Sequence, residues 1–239
     1  MGKPATHNLQ LTTLMKNYVI IVAGGSGTRM QSAVPKQFLL LKGKPVLMHT
    51  IGAFYDSDAK PDIILVLPSN FNSYWEQLCK EHNFTIPHQL VNGGETRFHS
   101  VKNGLDAITD NSRAIIAVHD AVRPLTSKEI IDKSYLHAAE HGNAITAVKS
   151  RDSVRQLNNG ISTHLLRDDI YLIQTPQTFQ SVQIKKAYLQ PYSAKFTDDA
   201  SVIEEAGFPI HLIEGNYQNI KITFAEDIAI AKALMEIDS

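Results

Sequence analysis

Residues Tyr18–Lys36 read YVIIVAGGSGTRMQSAVPK, and the fold turns on this stretch. Val19, Ile20, Ile21 and Val22 are four β-preferring residues with no polar break. That pattern predicts a strand buried on both faces of a parallel sheet. Gly24, Gly25 and Gly27 follow at once, and glycines there let backbone amides approach an anion with no Cβ in the way. Arg29 and Lys36, seven residues apart, bring positive charge to the same place. The stretch therefore predicts a phosphate-bearing ligand at the carboxyl end of the first strand.

Three familiar motifs fail on it. No G-x-x-x-x-G-K-[ST] string for a P-loop occurs. Gly25 and Gly27 begin a dinucleotide fingerprint, but Met30 holds the third glycine position, and Asp62–Leu67 ends in Pro68, Ser69 and Asn70 with no acid for a ribose. Gly24-Gly25-Ser26-Gly27-Thr28 lacks the last glycine of a nucleophile elbow. A tight strand-to-helix turn would also explain the glycines. The paired cations favour the ligand.

Strands and helices alternate outward from this stretch. Helical spacing covers Lys44–Tyr55, with Pro45 suited to a first turn. Asp62–Leu67 is the second strand. A helix capped by Ser69 or Asn70 runs to about His82. A short strand at Gln89–Val91 leads into Gly93-Gly94, with Arg97 and Ser100 nearby, and a helix spans Glu95–Ile108. Ala114–Val118 is the next buried strand and leads into the turn HDAVRP. Thr126 or Ser127 caps a helix to about His141, and Ala144–Val148 is again a strand. The alternation implies an α/β, Rossmann-like fold: a mostly parallel twisted sheet with helices on both faces and its ligand crevice at the strand ends. After Lys149 the pattern changes. Asp152–Leu157 and Ile161–Leu166 flank Asn158-Asn159-Gly160, which reads as a β-hairpin, polar on both faces and suited to a projecting arm at about 149–170. Pro209–Glu214 and Asn219–Thr223 read as strands, with helices around Thr197–Ala206 and Ala225–Met235.

At 239 residues, one large domain over 16–239 is expected, preceded by a loosely ordered extension at 1–15. The net charge of −1 argues against a general nucleic-acid surface. The single Cys79 excludes an internal disulfide framework and suits a reducing cytoplasm; its expected role is packing on a half-buried helix. No apolar run approaches the roughly 20 residues of a membrane span, and the start is no secretory signal. His137 and His141 lie at i, i+4 on a helix, as zinc ligands can, but no third ligand or Glu pattern accompanies them, so they do not read as a metal pair. Asp56-Ser57-Asp58 resembles a glycosyltransferase D-x-D, yet precedes the second strand rather than following a strand end, and reads as a solvated loop.

The glycine loop with Arg29-Met30 and Pro35-Lys36-Gln37, then HDAVRP, the TPQTF turn, TDDAS and NIKIT, stand in a telling order. Over residues 17–236 the chain resembles the 2-C-methyl-D-erythritol 4-phosphate cytidylyltransferases of the non-mevalonate isoprenoid pathway. The ribitol-5-phosphate cytidylyltransferases share most of these motifs, and TDDASVIEEAG is closer to the isoprenoid branch. The resemblance implies that Ala23, Gly24, Gly25 and Gly27 bind CTP. It implies that Arg29 and Lys36 stabilise the pentacoordinate phosphorus. Gly93, Gly94 and Ser100 match the segment around cytosine and ribose, where Glu95 fits the family's usual acid. Asp120 matches a residue near a Mg²⁺ ion, and Arg123 a substrate-site arginine. Ser153 stands where family members often carry threonine. Arg167 matches a residue that reaches the sugar phosphate in the neighbouring subunit's site. Thr197 and Lys221 match acceptor contacts, with Lys221 positioning the attacking phosphate. Implied partners are CTP, a sugar phosphate and a second copy of the chain in a homodimer with interlocked arms.

The chemistry suits these residue types. A phosphate nucleophile with second pKa near 6 is mostly dianionic at neutral pH, so no general base is needed. The difficulty is bringing one polyanion to another, which cations and a divalent metal offset. Arginine holds phosphate oxygens in a fork, lysine acts as a point charge, and an aspartate offers a hard ion its oxygen. A nucleotide-binding regulator without catalysis is the contrasting reading. It would lack a cation or the metal ligand, and all are present.

Overall fold

The computed structural model describes residues 15–24, 34–110 and 112–237. Gly25, Gly27 and Arg29 lie outside these residues, as does 1–14 of the expected extension. Met15 packs against the core. In chain order the described strands are β1 (Lys16–Val22), β2 (Leu40–Leu41), β3 (Lys44–Pro45), β4 (Asp62–Leu67), β5 (Gln89–Asn92), β6 (Ala114–Asp120), β7 (Asn143–Lys149), β8 (Val154–Asn158), β9 (Ile161–Leu165), β10 (Tyr171–Gln180) and β11 (Leu212–Glu214). The α-helices are α1 (Val46–Asp56), α2 (Asn72–Glu81), α3 (Arg97–Asp106), α4 (Lys128–His141), α5 (Ser181–Ala187), α6 (Asp199–Glu205) and α7 (Glu226–Ile237). One seven-stranded sheet runs β11-β7-β10-β6-β1-β4-β5. Its pairings are parallel except those of β10, which is antiparallel to both β6 and β7.

β1 sits between β4 and β6, so its side chains must be apolar on both faces. Val19 and Ile21 pack with Leu65, Phe54, Trp75 and Tyr135, under α1, α2 and α4. Ile20 and Val22 pack with Ile64, Val66, Phe98, Val101 and Ile203, under α3, α5 and α6. Each such buried side chain contributes about 1.5–3 kcal/mol against the chain entropy of folding. Gly104 lets α3 approach closely: a Cβ there would lie 2.7 Å from Ile20 Cγ2. A third cluster (Leu41, Val46, Val122, Ile222, Ala231) ties the β2–β3 ribbon and α7 to the loop after β6.

Several expectations need correction. The TPQTF segment is no turn: it lies inside β10, in the middle of the sheet. Its polar residues are buried with partners. Gln177 donates to Asp198 Oδ2 at 2.9 Å and accepts from Ala200 N at 2.8 Å, and Thr178 donates to Ser134 Oγ. Asn219–Thr223 is not a strand. Fully buried Asn219 donates from its side chain to the Thr175 carbonyl at 2.9 Å, and Ile222 N donates to the Val122 carbonyl, so separate side-chain and backbone bonds hold the segment instead of a ladder. Only Leu212–Glu214 of the expected 209–214 strand pairs. Pro45 precedes α1 and closes the β2–β3 ribbon. A 3-10 turn, Ser69–Phe71, comes before α2. Ser57 of the D-x-D is buried, and Asp58 pairs with Lys128 at 2.7 Å.

The hairpin is present. β8 and β9 form their own two-stranded sheet around Asn159 (φ 49°) and Gly160 (φ 80°), a turn with both central residues left-handed. Leu157 and Ile161 at its tip and Leu166 at its base are exposed.

Candidate active site

The site is built where the parallel strands end. Past β1, Ala23 N donates to the Val66 carbonyl at 2.9 Å, and Ala121 N donates back to the Val22 carbonyl at 3.1 Å. Gln37, buried in the turn after Lys36, donates to the Ala23 carbonyl at 3.1 Å. These bonds fix the backbone that enters the glycine loop. Gly24 then packs on Ser100, whose Oγ would be 3.3 Å from a Cβ there. The same hydroxyl accepts from Gly94 N at 3.1 Å and donates to the Thr96 carbonyl at 2.9 Å. A Cβ on Gly94 would fall 2.5 Å from His99 Cβ, so the second glycine loop lies flat on the start of α3. Thr96 caps that helix by accepting from His99 N. Ser100 is buried and latches the two glycine loops together.

A cavity of about 310 Å³ opens there. Ala23, Gly24, Gln37 and Val122 line it, together with Asp120 and the cations Lys36, Arg97 and Lys221. Asp120 Oδ2 accepts from Lys221 Nζ at 3.0 Å and from Arg123 Nε at 3.2 Å, while Arg97 Nε lies 3.9 Å from Oδ1. Burial alone would raise the Asp120 pKa. Arg97, Lys221 and Arg123 outweigh it and hold the carboxyl well below the usual carboxylate range. Burial likewise works against charge on Arg97, but Asp199, then Asp120, keep its guanidinium protonated far above its ordinary value. Asp199 is fully buried at the start of α6 and accepts from Arg97 Nη2 at 2.5 Å and from the Tyr188 hydroxyl at 2.6 Å. Behind Asp120, Arg123 Nη1 donates to the Asn219 carbonyl at 2.7 Å, and Thr126 donates to Asn219 Oδ1 at 2.8 Å. His119 is pushed down to about 3 by burial, so the imidazole in this network is neutral. A larger cavity, about 660 Å³, lies against the amino ends of β1 and β4, where Lys16 pairs with Asp62 at 2.9 Å, away from the glycine loop.

Of the residues expected at the site, the cavity gathers Ala23, Gly24, Lys36, Asp120 and Lys221. Gly93, Gly94 and Ser100 stand directly behind them. Arg123 is buried and spends its donors on Asp120 and Asn219. Thr197 is exposed before α6, its amide donating to Ser201 Oγ at 3.1 Å. Ser153 and Arg167 are exposed by the hairpin and do not line the cavity; Arg167 lies 3.9 Å from Asp168. Arg29, Gly25 and Gly27 fall outside the described residues. Arg97, noted beside the second glycine loop but given no role, proves to line the cavity. Its partner Asp199, within the TDDAS motif, was not singled out. The two are 102 residues apart, and no local pattern joins them.

The donor set fits a hard divalent ion. Asp120 is an ionised carboxylate on the cavity wall, and its Oδ1 has a cation only at 3.9 Å. Magnesium is commonly held by one or two carboxylates plus substrate phosphates.

The family model for 2-C-methyl-D-erythritol 4-phosphate cytidylyltransferase matches residues 17–237. A protein of that name from Bacteroides thetaiotaomicron is 49% identical over 221 residues, covering 92% of this chain and 100% of the relative. Its namesake in Porphyromonas gingivalis strain W83 is 45% identical over 222 residues, covering 92% and 98%. Among solved structures, 4-diphosphocytidyl-2C-methyl-D-erythritol synthase from Anaerococcus prevotii superposes with a TM-score of 0.81 at 28% identity, covering 95% of this chain and 99% of that one. The Francisella tularensis 2-C-methyl-D-erythritol 4-phosphate cytidylyltransferase gives 0.75 at 34% identity, covering 91% and 99%.

Proposed function

The chain belongs to the 2-C-methyl-D-erythritol 4-phosphate cytidylyltransferase family, and we propose that the cavity at Gly24 is where it carries out that family's reaction. The enzyme is a nucleotidyltransferase that joins CTP and 2-C-methyl-D-erythritol 4-phosphate into 4-diphosphocytidyl-2-C-methyl-D-erythritol for isoprenoid synthesis, with release of pyrophosphate. The observation that carries our site assignment is the convergence of Arg97 and Lys221 on ionised Asp120 at the carboxyl ends of β1 and β6, in a cavity that Lys36 also lines.

In this reading the backbone at Ala23 and Gly24 receives the triphosphate, with Gly25, Gly27 and Arg29 assigned to it on the resemblance. Lys36 faces the α-phosphorus as a point charge. Lys221 holds the acceptor phosphate for attack, leaving Asp120 Oδ2 as it does so. Arg97, locked by Asp199, keeps a fixed positive charge at the wall, so little reorganisation is needed as negative charge shifts to the leaving pyrophosphate. The acceptor phosphate is its own nucleophile, and neutral, buried His119 takes no proton from it. Bound Mg²⁺, with Asp120 as protein ligand, would neutralise phosphate charge.

We further propose a homodimer in which the hairpins interlock and Arg167 and Ser153 serve the partner's acceptor site, with Thr197 a contact from the same chain. The exposed apolar residues Leu157, Ile161 and Leu166 support this. The proposed setting is the cytoplasm. Among the described residues no helix is long and apolar enough to cross a membrane.

Steady-state pyrophosphate release tests the roles. Lys36→Ala and Lys221→Ala should each lower kcat by roughly 10²–10³, the scale of removing one preorganised donor. Near-normal turnover would remove that residue from the mechanism. Mixing Arg167→Ala with Lys36→Ala subunits should restore one working site per heterodimer. No recovery would mean each site is built within one chain.

A further inference from the structure

His137 and His141 are one helical turn apart near the end of α4, and the fold adds a third imidazole that their sequence neighbourhood does not contain. His211 lies just before β11, with its ring centroid 6.3 Å from that of His137 and 6.0 Å from that of His141; the α4 pair is 4.3 Å apart. Its position is fixed by the backbone. The His211 carbonyl accepts from Ile145 N at 2.8 Å, and its amide donates to Asn143 Oδ1 at 2.9 Å. Asn143 is fully buried and also donates to the Pro209 carbonyl at 2.8 Å.

We propose that His137, His141 and His211 bind a borderline divalent transition-metal ion of the Zn²⁺ type. Imidazole nitrogen suits such ions, whereas Mg²⁺ prefers oxygen, so the nucleotide's metal would not compete for this site. Three further observations point the same way. His211 Nδ1 is buried with no hydrogen-bond partner, an arrangement uncommon for a polar atom unless something else satisfies it. Glu140 Oε2 lies 3.6 Å from His141 Nε2, a carboxylate placed to orient the ring or join the ion. The cluster sits at the carbonyl end of a 14-residue helix, which favours positive charge.

Among the described residues no three such side chains already stand in position to hold a metal. The rings must therefore shift for an ion to bind. A tetrahedral ion about 2.0–2.1 Å from each nitrogen sets imidazole centroids roughly 5 Å apart. The observed spacings lie on both sides of that value, so the α4 rings must part slightly and close on His211. His141 is half-exposed. A bound ion would clamp α4 to the edge of the sheet, and none of its ligands lines the nucleotide cavity.

Calorimetric titration of the metal-free, full chain with Zn²⁺ near neutral pH should show one tight equivalent and a raised melting temperature. His141→Ala and His211→Gln should each weaken binding about ten-fold or more while leaving pyrophosphate release without added Zn²⁺ unchanged. Asp120→Asn should leave the Zn²⁺ isotherm as it is, which separates this site from the cavity. Absence of Zn²⁺ binding at micromolar concentrations would overturn the proposal, as would binding that survives both histidine substitutions.

Discussion

Replacing Arg97 with alanine should destabilise the protein by about 3 kcal/mol. Asp199 has no exposed surface and accepts two hydrogen bonds, from Arg97 at 2.5 Å and from Tyr188 at 2.6 Å. Without the guanidinium it remains a buried carboxylate with one neutral donor. Breaking a buried pair from one side costs about 3–5 kcal/mol. The Arg97 side chain is 30% exposed, so water refills part of the space and the lower end applies. Urea unfolding followed by the fluorescence of buried Trp75 reads the change. With a slope of about 3 kcal/mol per molar urea, the midpoint should fall by about 1 M. The Arg97→Met/Asp199→Asn pair should recover part of the loss, because it removes both charges together. The reasoning is refuted if Arg97→Ala costs under about 1 kcal/mol, or if the double variant loses the sum of the two single losses.

Three other outcomes follow from the packing. Gly104→Ala should cost about 1–2 kcal/mol despite its better helix propensity, because the new Cβ meets Ile20 Cγ2 at 2.7 Å; an unchanged or higher melting temperature would contradict this. Tyr135→Phe removes the buried hydrogen bond to the Tyr18 carbonyl at 2.7 Å and should cost about 1 kcal/mol in the same melts, where no loss would mean that the carbonyl is satisfied without it. Burial, with Glu76 adding, pushes the Cys79 thiol up to about 11. The folded thiol therefore stays protonated at neutral pH, and alkylation should be slow and rise about ten-fold per pH unit towards 11. Because the unfolded thiol loses its proton first, this group also takes stability away as pH climbs past 9.0; rapid labelling of native protein at pH 7 would refute both statements.

What the sequence made legible follows from local physics. Val19–Val22 and Asp62–Leu67 are apolar runs because they are covered on both faces, and glycines mark the strand ends where backbones approach. β10 was hidden because its central residues are polar and contain Pro176, a pattern that ordinarily argues against an inner strand. They are buried all the same, since Gln177, Thr178 and Thr175 find partners from Asp198, Ser134 and Asp120, all distant in sequence. Asn219–Thr223 misled for the converse reason. Ile220 and Ile222 alternate like a strand, but the segment is held by Asn219. At the site, Lys36, Asp120 and Lys221 were readable as motif residues, whereas the Arg97–Asp199 pair needed the fold to bring α3 against α6.

The central claim is that this cavity joins a cytidylyl group to a methylerythritol phosphate. Pyrophosphate release should be measured with CTP, Mg²⁺ and either 2-C-methyl-D-erythritol 4-phosphate or ribitol 5-phosphate, on the native chain and on Lys36→Ala. The account predicts strong preference for the methylerythritol acceptor, lost in the variant. A preference for ribitol 5-phosphate, or full activity without Lys36, would contradict it.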